Sequence, residues 1–352
     1  MTTSTLENSP DLLTRWSDLK ITEPKIRIRD AAYKLGVTEA QLLAASVDGK
    51  SIVRLEPQFR DIISEIPTLG KVMALTRNES AVHERKGIYE GVDVTGHAGL
   101  VLGPDIDLRI FFGEWAFGFS LNEEGEHGRR RSLQFFDARG NAVHKIFAQE
   151  ASDAVAFDAL VEKYRAPAQD TALEVKPTAP AATPKPDSEI DVEGFRAAWD
   201  AMQDTHEFFM LLRKFGAART QALRLAGPER ALPVTNATTR ALLESASARE
   251  VPIMIFVSNP GNIQIHTGPV KNVKVMGPWL NVLDPEFNLH LREDRIATSW
   301  IVRKPTRDGV VTSLEIFDAD GENITLFFGK RKPGQPEDPA WRDLIAALNT
   351  SI

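Results

Sequence analysis

A chain of 352 residues, 42% of them hydrophobic, is long enough to fill one or two ordinary cores. Cysteine is absent, which excludes disulfides, thiolate metal sites, iron–sulfur clusters and a cysteine nucleophile, so any metal must be held by His, Tyr or carboxylate. A net charge of −7, from 42 basic and 49 acidic residues interspersed along the chain, argues against a general nucleic-acid or anionic-membrane binder.

The polar start MTTSTLENSPDLLTRW lacks the basic flank and apolar run of a secretion signal. No stretch reaches the roughly 18 apolar residues of a membrane span, and a cytoplasmic location is expected. The periodicity of DAAYKLGVTEAQLLAA, from Asp30, predicts helices near the N-terminus. In DLRIFF, from Asp107, period-two alternation places Leu108 and Ile110 on one strand face and Arg109 with Phe111 on the other. A guanidinium beside an aromatic ring reads as an exposed sheet face, and would equally suit a flat aromatic anion. Arg129 to Arg131 read as the solvated tip of a hairpin. Ser132 to Phe147, SLQFFDARGNAVHKIF, reads as two strands about the turn DARGN, and AFDALVEKY as a closing helix.

Between Ala166 and Glu189 prolines stand at 167, 177, 180, 184 and 186 and large apolar residues are scarce. This composition predicts a semi-rigid linker over 166–189, joining an N-terminal repeat, 1–165, to a C-terminal repeat, 190–352. The repeat itself is visible in Ser313 to Phe328, SLEIFDADGENITLFF, which matches the earlier hairpin at seven of sixteen positions, 181 residues further on. The same offset aligns Asn78 with Asn259, Gly87 with Gly268, Pro104 with Pro285 and Leu108 with Leu289. LLRKFGAARTQALRLA, after Met210, answers the first helices at an offset of 180, and AWRDLIAAL answers AFDALVEKY. The expected fold is α+β: two tandem repeats, each with N-terminal helices, an antiparallel sheet and a closing helix, with a cleft between the lobes.

The seven histidines form no HxH or HExxH spacing, and no GxSxG elbow, P-loop or strand-following GxGxxG is present. Multi-histidine metal sites, hydrolases and nucleotide binders therefore find little support. His206 opens DTHEFFMLLRKFG, where Asp204 and Glu207 have the spacing of a capping box and Phe208, Leu211, Leu212 and Phe215 form an apolar stripe. His206 then lies in the first helical turn, pointing away from that stripe with Met210 and Arg213, toward solvent or a ligand. Arg219, Lys304 and Arg331 are cations near apolar groups. Each alone reads as a solvated charge; together they would pair with two carboxylates.

Three stretches carry a family likeness: RNESAVHERKGIYE from Arg77, AWDAMQDTHEFF around His206, and NVLDPEFNLHLREDRIATSWIVRKPTRDGVVTSLEIFDADGE from Asn281. They resemble the bacterial hemin-degrading or heme-trafficking proteins of the HemS/ChuS/PhuS type, and the likeness runs through both halves. The resemblance implies one heme between the lobes, with His206 as the axial iron ligand and Arg109 on the distal, catalytic side. It further implies propionate contacts from Arg219, Lys304 and Arg331 and ring packing against Phe111 and Phe256. Some relatives carry extra histidines just after the ligand; Glu207 and Phe209 stand here, which argues against ligand switching through neighbours. The implied function is cytoplasmic heme binding in heme uptake and iron acquisition, with oxidative degradation that releases iron and draws on an external electron donor. The alternative is a non-enzymatic carrier that takes heme from an importer and delivers it to a separate heme oxygenase, or stores it. A cofactor-free interaction module would explain the repeat but not the placement of His206 and Arg109. His83, Tyr89 and His290 lie in motif-like stretches and are candidates for a second, weaker site or for structural roles in strands.

Overall fold

A computed structural model describes residues 9–125, 128–178, 183–331 and 334–349. In the N-terminal half the helices are α1 (Ser9–Thr22), α2 (Ile28–Leu35), α3 (Glu39–Ala45), α4 (Phe59–Glu65) and α5 (Ala154–Lys163). The strands are β1 (Ile52–Leu55), β2 (Gly70–Arg77), β3 (Ala81–Gly87), β4 (Val92–Asp93), β5 (Gly99–Leu102), β6 (Asp107–Ile110), β7 (Trp115–Gly125), β8 (Gly128–Asp137) and β9 (Ala142–Ser152). The C-terminal half repeats the series with α6 (Val192–Asp200), α7 (Glu207–Phe215), α8 (Arg219–Ala226), α9 (Ala237–Ala248) and α10 (Pro339–Asn349). Its strands are β10 (Ala231–Val234), β11 (Ile253–Asn259), β12 (Asn262–Gly268), β13 (Val273–Met276), β14 (Trp279–Leu283), β15 (Phe287–Arg292), β16 (Thr298–Thr306), β17 (Gly309–Phe317) and β18 (Asn323–Gly329).

Local chemistry sets the helix starts. Thr38 and Gln41 form a reciprocal capping box on α3, and the Asp153 and Asp191 carboxylates accept backbone N–H groups at the starts of α5 and α6. Strand order is β1-β7-β8-β9-β2-β3-β15-β14-β13 in one sheet and β10-β16-β17-β18-β11-β12-β6-β5-β4 in the other, so each sheet draws on both sequence halves. The repeat is thus as expected, with an exchange that the periodicity did not show.

The chain forms two compact units. The first comprises Met1–Arg77, Glu84–Ala179 and Asn259–Gln264; the second comprises Asn78–His83, Pro180–Ser258 and Ile265–Ile352. In the first, α4 and α5 supply Phe59, Ile62, Ile63, Phe157 and Leu160 to a core shared with Val72, Leu133, Phe135 and Ile146. In the second, α9 and α10 pack Leu242, Leu243, Trp341 and Leu344 against Ile253, Ile255, Ile301, Leu314 and Ile316. The opposite face of that sheet carries Val302 and Phe317, covered by Phe195, Trp199, Phe208, Leu211 and Leu223 of α6 to α8. Each fully buried aromatic ring stabilises the fold by about 2–3 kcal/mol.

Part of the expected linker is packed in place. Leu173 is buried with Phe119 and Phe136, Gln169 exchanges hydrogen bonds with the backbone of Arg54, and the Lys176 amide donates to Ala138. Further on, Asp187 pairs with Arg224 and accepts from Gln221. Sparse apolar composition thus did not prevent one leucine and a few polar anchors from tying both ends of 166–189 to their units.

Two equivalent asparagines hold the exchanged segments. In the second unit Asn78 caps its own turn through Oδ1 and donates Nδ2 to Ser258 and Ile324 carbonyls at 3.2 and 2.9 Å. In the first unit Asn259 does the same toward Arg77 and Val143, both at 2.8 Å. Behind Asn259 lies a buried polar network. Asn262 Nδ2 is 3.0 Å from His144 Nδ1, Tyr89 Oη is 2.7 Å from His144 Nε2, and Thr76 donates to Gln264 at 2.8 Å. If Nδ1 accepts the amide N–H, the imidazole proton sits on Nε2 and is donated to Tyr89, which leaves no place for a second proton.

Candidate functional site

The joint between α6 and α7 is shaped by burial on one side and by a carboxylate on the other. Trp199 and Phe208 meet edge to face at 4.9 Å between centroids, seating the apolar stripe expected on this helix. The opposite side is open: His206 is 94% exposed at its side chain, with Phe209 and Met210 at 64% and 60%. The expected capping box is corrected by the structure. Helix α7 begins at Glu207 with His206 at its N-cap, and no side chain caps it. Asp204 Oδ1 instead accepts the His206 amide, at 2.8 Å, and the His206 ring nitrogen Nδ1, at 2.6 Å.

This carboxylate fixes the ring. With Nδ1–H donated to Asp204, Nε2 is the nitrogen left on the exposed side of the ring, the orientation a metal-ligating histidine adopts. The Asp204 carboxyl is held below its usual range, first by the His206 amide, with the His206 ring and the charge of Arg331 adding to it. Because such carboxylate partners orient the ring and raise its basicity, Asp204→Asn is expected to weaken by about 10-fold the binding of any metal-centred ligand that His206 holds. A titration of the variant with hemin would check this, and an unchanged affinity would show that the carboxylate is dispensable.

Arg219 and Lys304 are brought together, though not as free cations. Arg219, the first residue of α8, directs Nε and Nη2 to Glu315 Oε2, while Lys304 on β16 directs Nζ to Glu315 Oε1. Lys304 is buried, whereas the Arg219 side chain keeps 30% exposure. Burial acts to raise the Glu315 carboxyl, but the adjacent Arg219 and Lys304 charges outweigh it and hold it down at about 2. Burial likewise lowers the Lys304 ammonium, with Glu315 opposing. Both cations lie against the ring of Phe208, at 5.3 and 4.6 Å from its centroid.

Register extends this face. Glu315 pairs with Leu326, Leu326 with Phe256, and Met254 with Phe328, and directly opposed residues share a sheet face. Phe256 and Phe328 meet at 5.1 Å, and all four apolar residues are only partly buried. Sequence reasoning reached Phe256 through the resemblance and missed Asp204 as ring partner, Glu315, Met254, Leu326 and Phe328. The alternation of Met254 with Phe256 and of Leu326 with Phe328 was the signal that pointed to them.

Arg109 and Phe111 lie in the first unit. Leu108 and Ile110 are fully buried and Arg109 and Phe111 half-exposed, the expected two faces of β6. The Arg109 guanidinium donates to the Asp107 carboxylate and, at 3.0 Å, to the Leu108 carbonyl; the Phe111 amide donates to Gly261 at 3.0 Å. Thus His206, Arg219, Phe256, Lys304 and Arg331 share one unit, and Arg109 and Phe111 share the other. His83 and Tyr89 are buried, His83 against Phe287 and Tyr89 on His144, and His290 Nδ1 lies 2.7 Å from Asn281 Oδ1 across β14 and β15. Among the described residues no three His, Asp or Glu side chains cluster as a metal site, and no helix is long and apolar enough to cross a membrane.

Known proteins are similar to this chain along nearly its whole length. The family described as the haemin-degrading HemS.ChuX domain matches twice, over residues 36–164 and 216–348. The hemin transport protein HmuS of Yersinia pestis is 41% identical over 341 residues, 96% of this chain and 97% of its own. The hemin transport protein HemS of Yersinia enterocolitica is 42% identical over 350 residues, 97% and 98% of the two chains. Among solved structures, holo-PhuS, a heme-binding protein from Pseudomonas aeruginosa, superposes with a TM-score of 0.93 at 50% identity, covering 96% of this chain and 98% of its own. ChuS, an E. coli heme oxygenase, gives 0.86 at 38% identity over 96% and 99%.

Proposed function

Since the chain belongs to the haemin-degrading HemS/ChuX family, we propose that it binds one heme in the cytoplasm through His206 and degrades it oxidatively to release iron for the cell. The observation that carries this reading is the His206 ring, exposed at a helix start, with Nδ1 held by Asp204 and Nε2 free. A neutral imidazole is a common axial ligand for heme iron. The surroundings fit the rest of the molecule: a partly exposed apolar face of Met254, Phe256, Leu326 and Phe328 for the ring, and Arg219 and Arg331 for the propionates. Lys304, buried and bonded to Glu315, supports Arg219 from behind. We further propose heme-binding roles for Arg109 and Phe111.

Bound heme iron supplies the electron-transfer and dioxygen chemistry, with electrons from an external donor. The protein's own groups do the rest. Asp204 would keep the His206 proton on Nδ1, the apolar face would exclude water, and the Arg109 guanidinium would offer hydrogen-bond donors.

A second reading is carriage, in which heme passes from an importer to a separate oxygenase. What favours it is the exposure of the ligand itself: His206, Phe209 and Met210 form an open patch that another protein can reach. One experiment addresses both. Hemin is titrated by absorbance, then ascorbate or a reductase is added with catalase present. A one-to-one Soret complex that decays with iron release supports degradation; a stable complex that yields its heme to an added oxygenase supports carriage. The absence of any defined complex would overturn both.

A further inference from the structure

Glu315 has no solvent exposure, and the readings above name it only as the partner of Lys304. Its oxygens are fully engaged. Oε2 accepts from Arg219 Nε and Nη2 at 3.1 and 2.7 Å, and Oε1 accepts from Lys304 Nζ at 2.5 Å and from Ser313 Oγ at 3.1 Å. A carboxylate taken wholly out of water persists only when matched in this way. The match uses one edge of the guanidinium; Nη1 makes neither of the Arg219 bonds to Glu315. Both cations also press on Phe208, which follows His206 by two residues on α7.

We infer that Glu315 is a positioning residue for the anion side of the heme site: it aligns Arg219 for a propionate carboxylate and, through Phe208, ties that cation to the helix start that carries His206. The inference rests on the heme-binding reading. The other repeat supplies a contrast. At an offset of 181 the equivalent of Glu315 is Gln134, and at 180 the equivalent of Arg219 is Glu39, which is buried and paired with Lys145. The first unit thus holds a carboxylate where the second presents a guanidinium, so the alignment of a cation for a ligand carboxylate was built in one repeat only.

The test compares hemin with its dimethyl ester, whose propionates are blocked. Two variants are used: Glu315→Gln, and Glu315→Gln combined with Lys304→Met, which leaves no buried ammonium without a partner. Both are expected to bind hemin about 10-fold more weakly than wild type, the loss of one or two charge-assisted hydrogen bonds, while binding the ester as wild type does. Equal weakening toward hemin and ester would overturn the inference, as would unchanged hemin binding in both variants. Loss of the folded state in both, read by circular dichroism, would overturn it too, because Glu315 would then serve the fold alone. Failure of the wild type to bind hemin would instead overturn the heme-binding reading itself.

Discussion

His206→Ala is expected to abolish the defined Soret complex with hemin and to weaken binding by at least about 100-fold. The ring is almost wholly exposed, makes no capping bond and belongs to no core, so its removal takes little from the fold. A thermal melt of the variant should therefore stay close to wild type while the absorbance titration changes. Added imidazole, free to take the place of the removed ring, should restore the wild-type spectrum in part. A variant that retained the one-to-one complex would show that iron is held elsewhere.

The second large effect is acid sensitivity centred on His144. Burial pushes the His144 ring down to about 3, against 6.5 when exposed, with a backbone contact at Leu75 opposing. Above pH 6.5 folded and unfolded chains both carry it neutral, and its contribution is fully present. Below 6.5 the unfolded chain takes up a proton that the folded chain does not, so stability falls as pH falls, by about 1.4 kcal/mol per unit, until the folded ring protonates near 3. Glu315 acts in a lower window: its folded carboxyl, down at about 2, contributes above 4.5 and is lost only as pH drops below that. Urea unfolding between pH 7 and 5 therefore stays above the Glu315 window, and comparison with a His144 variant separates this ring from other groups. The midpoint should drop across this range in the wild type, and the slope should flatten in His144→Gln. Parallel slopes in the two proteins would assign the acid lability to other groups.

Much of this architecture is written in local pattern. The constant offset from Ser132 to Ser313, the turns DARGN and DADGE, and the alternation at Leu108 to Phe111 reflect nearest-neighbour geometry, and such geometry is legible in one dimension. The exchange of segments is not, because Asn78 and Asn259 read as ordinary turn residues until their side-chain amides find carbonyls nearly two hundred positions away. Leu173 hid in a proline-rich stretch for the same reason: its burial depends on Phe119 and Phe136, not on its neighbours. At the site, His206 and its open side followed from helical phase, whereas Asp204 was assigned to a cap when a ring nitrogen two residues away competed for it. Glu315, in the strand SLEIFD, carries no mark that separates a buried charge from a solvent-facing one; only the approach of Arg219 and Lys304 makes that distinction.

The reciprocal placement of 78–83 and 259–264 also bears on the order in which the chain can be completed. During synthesis the first unit lacks Asn262 and Gln264, so His144 and Thr76 emerge from the ribosome without partners that are made more than a hundred residues later. Contacts of such long sequence separation close slowly, and they leave strand edges open in the meantime. Each unit holds a segment from the other sequence half, so neither can close its last contacts before both halves have been made.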